Sequence, residues 1–111
     1  MKIAIAGLGT VGVGLIKLLS ENSAEISARL GLTPEIIAVS ARSKNKDRGV
    51  DLSKYDWKEN PVDLAQTDAD VIIELIGGTD GDALALTKAA LGNKKHVITA
   101  NKAMLDRKSV V

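Results

Sequence analysis

The chain has no cysteine and no phenylalanine, and Tyr55 and Trp57 are its only large aromatic side chains. The lack of cysteine excludes disulfides, thiolate nucleophiles and cysteine-ligated zinc together, which fits a reducing compartment. With so few aromatics, stacking platforms for exposed nucleic-acid bases are excluded as well, and the core has to come from Val, Ile, Leu and Ala. Neither charge is in excess, and a formal net charge of +1 provides no basic field for a nucleic-acid partner. Basic residues gather only locally, at Arg42, Lys44, Lys46 and Arg48 and again at Lys94 and Lys95, and both groups read as solvated loops. No apolar run reaches the roughly 18 residues that a membrane-spanning helix needs. A membrane partner is therefore not expected, and the cytoplasm is the expected location. The apolar stretch behind Lys2 imitates a signal peptide, but Gly7, Gly9, Gly12 and Gly14 interrupt it and no convincing cleavage site follows. Burial in a sheet explains it better.

What is present suffices for one domain over residues 1–111, with 45% hydrophobic residues for a single core. Its most informative part is the apolar run Ile3-Ala4-Ile5-Ala6 leading into Gly7-Leu8-Gly9-Thr10-Val11-Gly12, with a helical pattern behind it. A strand, G-x-G-x-x-G and a helix in that order read as a dinucleotide-binding turn. Gly7 permits the bend out of the strand, Gly9 lets a diphosphate approach the backbone, and Gly12 lets the helix lie close on the strand. A helix starting near Thr10 directs its unpaired N–H groups and positive dipole end at the phosphates. A Walker-type loop is excluded, because Val13 and Gly14 stand where Lys and Ser/Thr would be needed.

Strands and helices alternate along the whole chain. Lys2 to Ala6 is predicted as a buried parallel strand. The helix from Thr10, with Val11, Leu15, Leu18 and Leu19 at helical spacing, is expected to continue through Ile26 and Leu30 to a stop at Gly31. Pro34 separates it from a strand over Glu35 to Ala41, and a polar loop follows from Arg42 to Gly49. Val50 to Asn60 is the least legible stretch, with a short edge strand expected around Tyr55 to Lys58. Pro61 to Gln66 reads as a short helix with proline in its first turn. Asp70 to Ile76 is the next buried strand, and Asp80 to Leu91 the next helix, with Leu84, Thr87 and Leu91 on one face and a stop at Gly92 and Asn93. Lys95 to Thr99 is the last strand, and Asn101 to Lys108 starts another helix. The expected fold class is therefore α/β, a Rossmann-like doubly wound parallel sheet with helices on both faces. In such sheets ligands bind beyond the carboxyl ends of the strands, so Gly7 to Gly12, Arg42, Gly77 to Thr79 and Thr99 to Lys102 are expected on one rim.

The residue ending the second strand speaks to the choice of nucleotide. NAD-selective folds place a carboxylate there to hold the ribose 2′-hydroxyl. This chain has Val39-Ser40-Ala41-Arg42, so Ser40 and Arg42 are candidate donors to a 2′-phosphate, Arg42 as a bidentate fork. The sequence favours NADP, and NAD remains compatible because losing the carboxylate does not by itself abolish its binding.

Four segments together resemble the amino-terminal domain of homoserine dehydrogenases. They are Gly7-Leu8-Gly9-Thr10-Val11-Gly12 with Gly14, Val39-Ser40-Ala41-Arg42 leading to Asp47-Arg48-Gly49, Glu74-Leu75-Ile76-Gly77-Gly78, and His96-Val97-Ile98-Thr99-Ala100-Asn101-Lys102-Ala103. The last two are the more specific. The resemblance implies reversible hydride transfer between NAD(P)H and aspartate 4-semialdehyde, giving homoserine for threonine and methionine synthesis. It implies that Leu8 to Gly12 carry the diphosphate and Arg42 the 2′-phosphate, and that Gly77, Gly78, Thr79, Thr99, Ala100, Asn101 and Lys102 line the nicotinamide side. Lys102 is the candidate catalytic residue. An ammonium there can hold the substrate or its carbonyl oxygen, stabilise alkoxide charge or take part in a proton relay. A mere surface lysine at a helix start is disfavoured by the dipole.

Other residues fit structural roles better. His96 precedes its strand at the wrong end of the sheet for acid–base work and reads as a turn residue. Glu74 falls inside a buried strand end, where a carboxylate needs partners and can organise the rim. Asp80 and Asp82 have metal-like spacing, yet their place at a helix start makes capping the expected role, and no metal site is expected. Homoserine dehydrogenases continue into a substrate and dimerisation domain, and after Met104 the tail Asp106 to Val111 looks unlike that continuation. The expectation is a cofactor-holding chain that meets its semialdehyde substrate only with that further domain and does not turn over alone, with apolar surface that favours self-association. Two alternatives stay open: a stand-alone NADP(H)-sensing module, and the cofactor domain of another semialdehyde or imine reductase, which Thr99 to Ala103 argues against.

Overall fold

A computed structural model describes residues 1–42, 48–76 and 81–99. In chain order these form β1 (Lys2–Ala6), α1 (Thr10–Glu21), α2 (Ser23–Leu30), β2 (Glu35–Ser40), β3 (Asp56–Trp57), a 3₁₀ segment (Pro61–Gln66), β4 (Val71–Glu74), α3 (Gly81–Gly92) and β5 (His96–Thr99). The five strands make one parallel sheet in the order β3-β2-β1-β4-β5. The chain steps outward from β1 to β2 and β3, then returns to the other side of β1 for β4 and β5. The winding therefore reverses between β1 and β4, which is where doubly wound sheets open their ligand crevice.

The alternation in Ile3-Ala4-Ile5-Ala6 separates the two faces of the sheet. Ile3 and Ile5 pack with Val39, Leu8 and Ile16 of α1, and Val13, Leu15 and Leu19 lie against this layer. Ala4 and Ala6 pack with Ala38 and Ile72 under Leu64 and Ala65 of the 3₁₀ segment and Leu86 and Ala90 of α3. With helices on both faces, the strands read as continuous apolar runs, as predicted. Each fully buried Ile or Leu contributes about 1.5–3 kcal/mol of transfer free energy, so aliphatic side chains carry the core without phenylalanine. β3 is short but continuous with the sheet: Trp57 pairs with Val39, and the Lys58 N–H donates to the Val39 carbonyl at 3.0 Å.

Several predicted elements are revised. The long first helix is two helices, broken at Asn22, whose φ of −121° and ψ of 24° leave the helical region. The hydrophobic pattern runs on through Ile26, but Ser20 and Asn22 turn their side chains back onto the carbonyls of Ile16 and Leu18, at 2.8 and 3.2 Å. Such local bonds compete with the helical ladder. Gly31 ends α2 in the left-handed region at φ +71°, as expected of a stop glycine. The buried stripe of α1 is Gly12 and Ile16, flanked by Leu15 and Leu19, whereas Val11 and Leu18 are 67% and 52% exposed. In α3 the buried residues are Ala83, Leu86, Thr87 and Ala90, while Leu91 faces solvent. Lys95 is not a solvated loop residue either. Its ammonium donates to the carbonyls of Thr67 and Ala69, both at 2.7 Å. The expected helix over Asn101 to Lys108 lies outside the described residues.

Candidate functional site

The carboxyl end of β1 meets the start of α1 through the three glycines, and each is held differently. Gly7 has φ +102°, a conformation that side chains with a Cβ rarely adopt, and a Cβ there would stand 2.9 Å from the main-chain carbonyl of Leu75. Its N–H donates to the Ser40 carbonyl at 2.8 Å, and the Leu75 N–H donates to Ala6 at 2.8 Å, so the turn is tied to the ends of both neighbouring strands. A Cβ on Gly12 would lie 2.2 Å from the Gly7 carbonyl oxygen. Only glycine lets α1 rest on the turn at that distance. This main-chain contact also explains the helix orientation: with position 12 against the sheet, positions 16 and 19 follow it inward and positions 11 and 18 are carried outward.

Gly9 differs from both. It is exposed, and a Cβ on it would meet nothing within 4 Å among the described residues, which leave the space in front of this peptide open. Gly9 is also the N-cap of α1, with no side-chain cap and no acidic residue in the first turn. The first in-helix bond seen here runs from Val13 N–H to the Gly9 carbonyl at 2.9 Å. The N–H groups before it are those a helix start leaves without internal partners. Thr10 and Val11 are exposed at this end, while Leu8 turns its side chain into the α1 layer and has only its backbone to offer a ligand. An uncapped helix start, free of acid and opening onto empty space at the reversal point of the sheet, suits an anionic diphosphate.

To one side lies the end of β2. Ser40 is buried at 2% exposure, which withdraws it as a surface donor, whereas Arg42 is exposed just beyond the strand. The Arg48 guanidinium sits over the Trp57 ring, 5.6 Å from its centroid. The short edge strand expected here is present, whereas the contact of Arg48 with Trp57 joins residues nine apart and leaves no local signal. To the other side lie β4 and β5, where Glu74 is fully buried. Its Oε1 accepts from the Ile76 N–H at 2.7 Å, and its Oε2 accepts from the Thr99 hydroxyl. The expectation that a carboxylate buried at this strand end finds partners matches these bonds, and the rim loops it is expected to organise lie outside the described residues. His96 is exposed at the opposite, amino end of the sheet, where its N–H donates to the Asp70 carbonyl at 3.1 Å.

Gly7 to Gly12, Arg42 and Thr99 thus all follow or end strands on the carboxyl side. Gly77, Gly78, Thr79, Asp80, Ala100, Asn101 and Lys102 lie outside the described residues, as does the Asp82 side chain. Two hydrogen bonds from Ser53 hold the Asp51 carboxyl below the usual carboxylate value. No described helix is long and apolar enough to cross a membrane.

Comparison with known proteins agrees with this geometry. The family described as homoserine dehydrogenase, NAD-binding domain, matches residues 7–110. A homoserine dehydrogenase of Neisseria gonorrhoeae is 42% identical over 106 residues, which is 95% of this chain and 24% of that protein. Among solved structures, the S. aureus homoserine dehydrogenase superposes with a TM-score of 0.81 at 39% identity, covering 92% of this chain and 26% of the other. That of Thiobacillus denitrificans gives 0.82 at 33% identity, covering 96% and 25%. The chain spans about a quarter of the length of these relatives.

Proposed function

Because the chain belongs to the NAD-binding domain family of homoserine dehydrogenases, we propose that it is the coenzyme-holding part of an oxidoreductase interconverting aspartate 4-semialdehyde and homoserine. The observation that carries this reading beyond family membership is the turn itself: α1 starts uncapped over open space at Gly9, seated there by the main-chain contact between Gly12 and Gly7. The coenzyme, when bound, supplies the hydride, which joins the aldehyde carbon while a proton joins its oxygen. The protein binds and orients. Backbone N–H groups from Leu8 to Gly12 take the diphosphate. Gly77, Gly78, Thr79, Thr99, Ala100, Asn101 and Lys102 form the nicotinamide side, and the Lys102 ammonium holds the carbonyl oxygen and neutralises the alkoxide that grows there.

NADP is the preferred coenzyme in this reading. The β2 end carries no carboxylate to select a ribose hydroxyl, and exposed Arg42 is the donor available to a 2′-phosphate. These 111 residues work as one cytoplasmic coenzyme-binding domain that turns over only together with substrate-holding residues. Exposed apolar side chains such as Ile98 on the outer strand, at 58% exposure, favour self-association. The test uses NADPH and NADH titrated against the 111-residue chain, followed by homoserine-dependent NADP⁺ reduction by the product of the complete reading frame. Micromolar coenzyme binding by the chain, with turnover confined to the complete product, supports the proposal. No binding of either coenzyme overturns it, and binding without turnover in the complete product supports a sensor instead.

A further inference from the structure

Glu74 is a charged residue inside a parallel sheet, in a strand whose other members are Val71, Ile72 and Ile73. A carboxylate there is less stable than an aliphatic side chain unless each oxygen finds a donor. Here the two oxygens find donors on different elements. Oε1 takes the main-chain N–H of Ile76, two residues onward, and so shapes the exit from β4. Oε2 takes the hydroxyl of Thr99, the residue opposite Glu74 and the last of β5. On the other side Glu74 is in register with Ala6, which precedes the glycine turn, and the following residue, Leu75, donates to Ala6 and faces Gly7. One buried side chain therefore connects the carboxyl ends of β4 and β5 beside the reversal point.

The direction of the dinucleotide gives this connection a purpose. With the ribose 2′-position at the end of β2 and the diphosphate at the start of α1, the nicotinamide half must extend over β4 and β5. Resting on the function proposed above, we infer that Glu74 is a positioning residue: it holds the Ile76 backbone and the Thr99 hydroxyl as one fixed edge on which the nicotinamide half of the coenzyme is seated. Being fully buried, Glu74 acts only through those two partners.

The inference separates the two halves of the coenzyme, and the test compares NADPH with 2′,5′-ADP, which lacks the nicotinamide half. Both are titrated calorimetrically against the 111-residue chain and its Glu74→Ala, Glu74→Met, Glu74→Gln and Thr99→Val variants, with thermal melts in parallel. Glu74→Ala and Thr99→Val are expected to weaken NADPH about tenfold or more and to leave 2′,5′-ADP within about twofold. Glu74→Gln keeps an acceptor for Ile76 and presents an amide toward which the Thr99 hydroxyl can turn as acceptor, so it is expected to bind NADPH as the parent does. Equal weakening of both ligands, or no weakening of NADPH, overturns the inference. Should Glu74→Ala fail to fold, near-isosteric Glu74→Met, which also lacks both acceptor oxygens, decides in its place. A parent chain that binds neither ligand overturns the underlying function, a result distinct from either of these.

Discussion

The two ends of the sheet treat their polar groups in opposite ways. At the amino end the protein satisfies itself: Lys95 donates to Thr67 and Ala69, Asn93 to Ala65, and the Asp70 carboxylate accepts from the Lys2 N–H. The N-terminal ammonium closes the same edge on the Thr33 carbonyl at 3.1 Å. At the carboxyl end α1 begins without a side-chain cap, Gly9 faces open space and Arg42 extends into solvent. Side chains meet carbonyls at the first end, and main-chain donors at a helix start face outward at the second. Glu74 is an exception among the side chains, a buried group satisfied at the carboxyl end.

The sharpest way to break this division is Gly12→Ala, which belongs to both ends of the argument. Its Cβ would collide with the Gly7 carbonyl, and overpacking of this kind costs about 3 kcal/mol. The melting temperature is expected to fall on the order of 15 °C, with coenzyme binding lost. Gly9→Ala is the contrast inside the same turn: stability within about 0.5 kcal/mol of the parent, and NADPH affinity lower by about tenfold or more in calorimetry. A Gly9→Ala chain that binds normally would contradict the placing of the diphosphate.

Lys95→Met tests the amino end. Losing both donors leaves two carbonyls short and is expected to lower stability by about 2 kcal/mol in urea unfolding, with NADPH affinity unchanged. Arg42→Ala tests the carboxyl end. NADPH is expected to weaken about tenfold or more and NADH by less than about twofold. Equal losses would refute the 2′-phosphate contact. The smallest effect is local to Asp51. Its carboxyl titrates below the usual value because Ser53 donates to the charged form. The associated stabilisation is complete above the unfolded-state value and lost as pH falls through the lowered folded one. An NMR titration should show the low midpoint, and Ser53→Ala should move it back up.

These contrasts also explain what could be read from the sequence. β1, β2 and β4 were legible because strands covered on both faces are apolar at every position, and the glycine turn because its spacing has a mechanical reason. The break at Asn22 was not, since the hydrophobic period runs unbroken from Leu19 to Ile26 while the interruption comes from local side-chain bonds to the backbone. The facing of α1 was misread for a related reason. Val11 and Leu18 look like core residues by spacing, but the contact between Gly12 and Gly7 rotates them outward. Lys95 reads as a solvated residue in the sequence because its partners, two carbonyls more than twenty residues away, leave no local trace. At the site, the bend and the need of Glu74 for partners are legible from residue type and place, whereas the stacking of Arg48 on Trp57 joins residues nine apart and leaves no local signal.

The seating of α1 on a carbonyl oxygen has a consequence for how this chain tolerates change. The aim of the helix is written in main-chain atoms, so the aliphatic residues beneath it can be exchanged for others of similar volume without redirecting the amides. Drift in Val13, Leu15, Ile16 or Leu19 alters how firmly the helix is held and leaves untouched where it points.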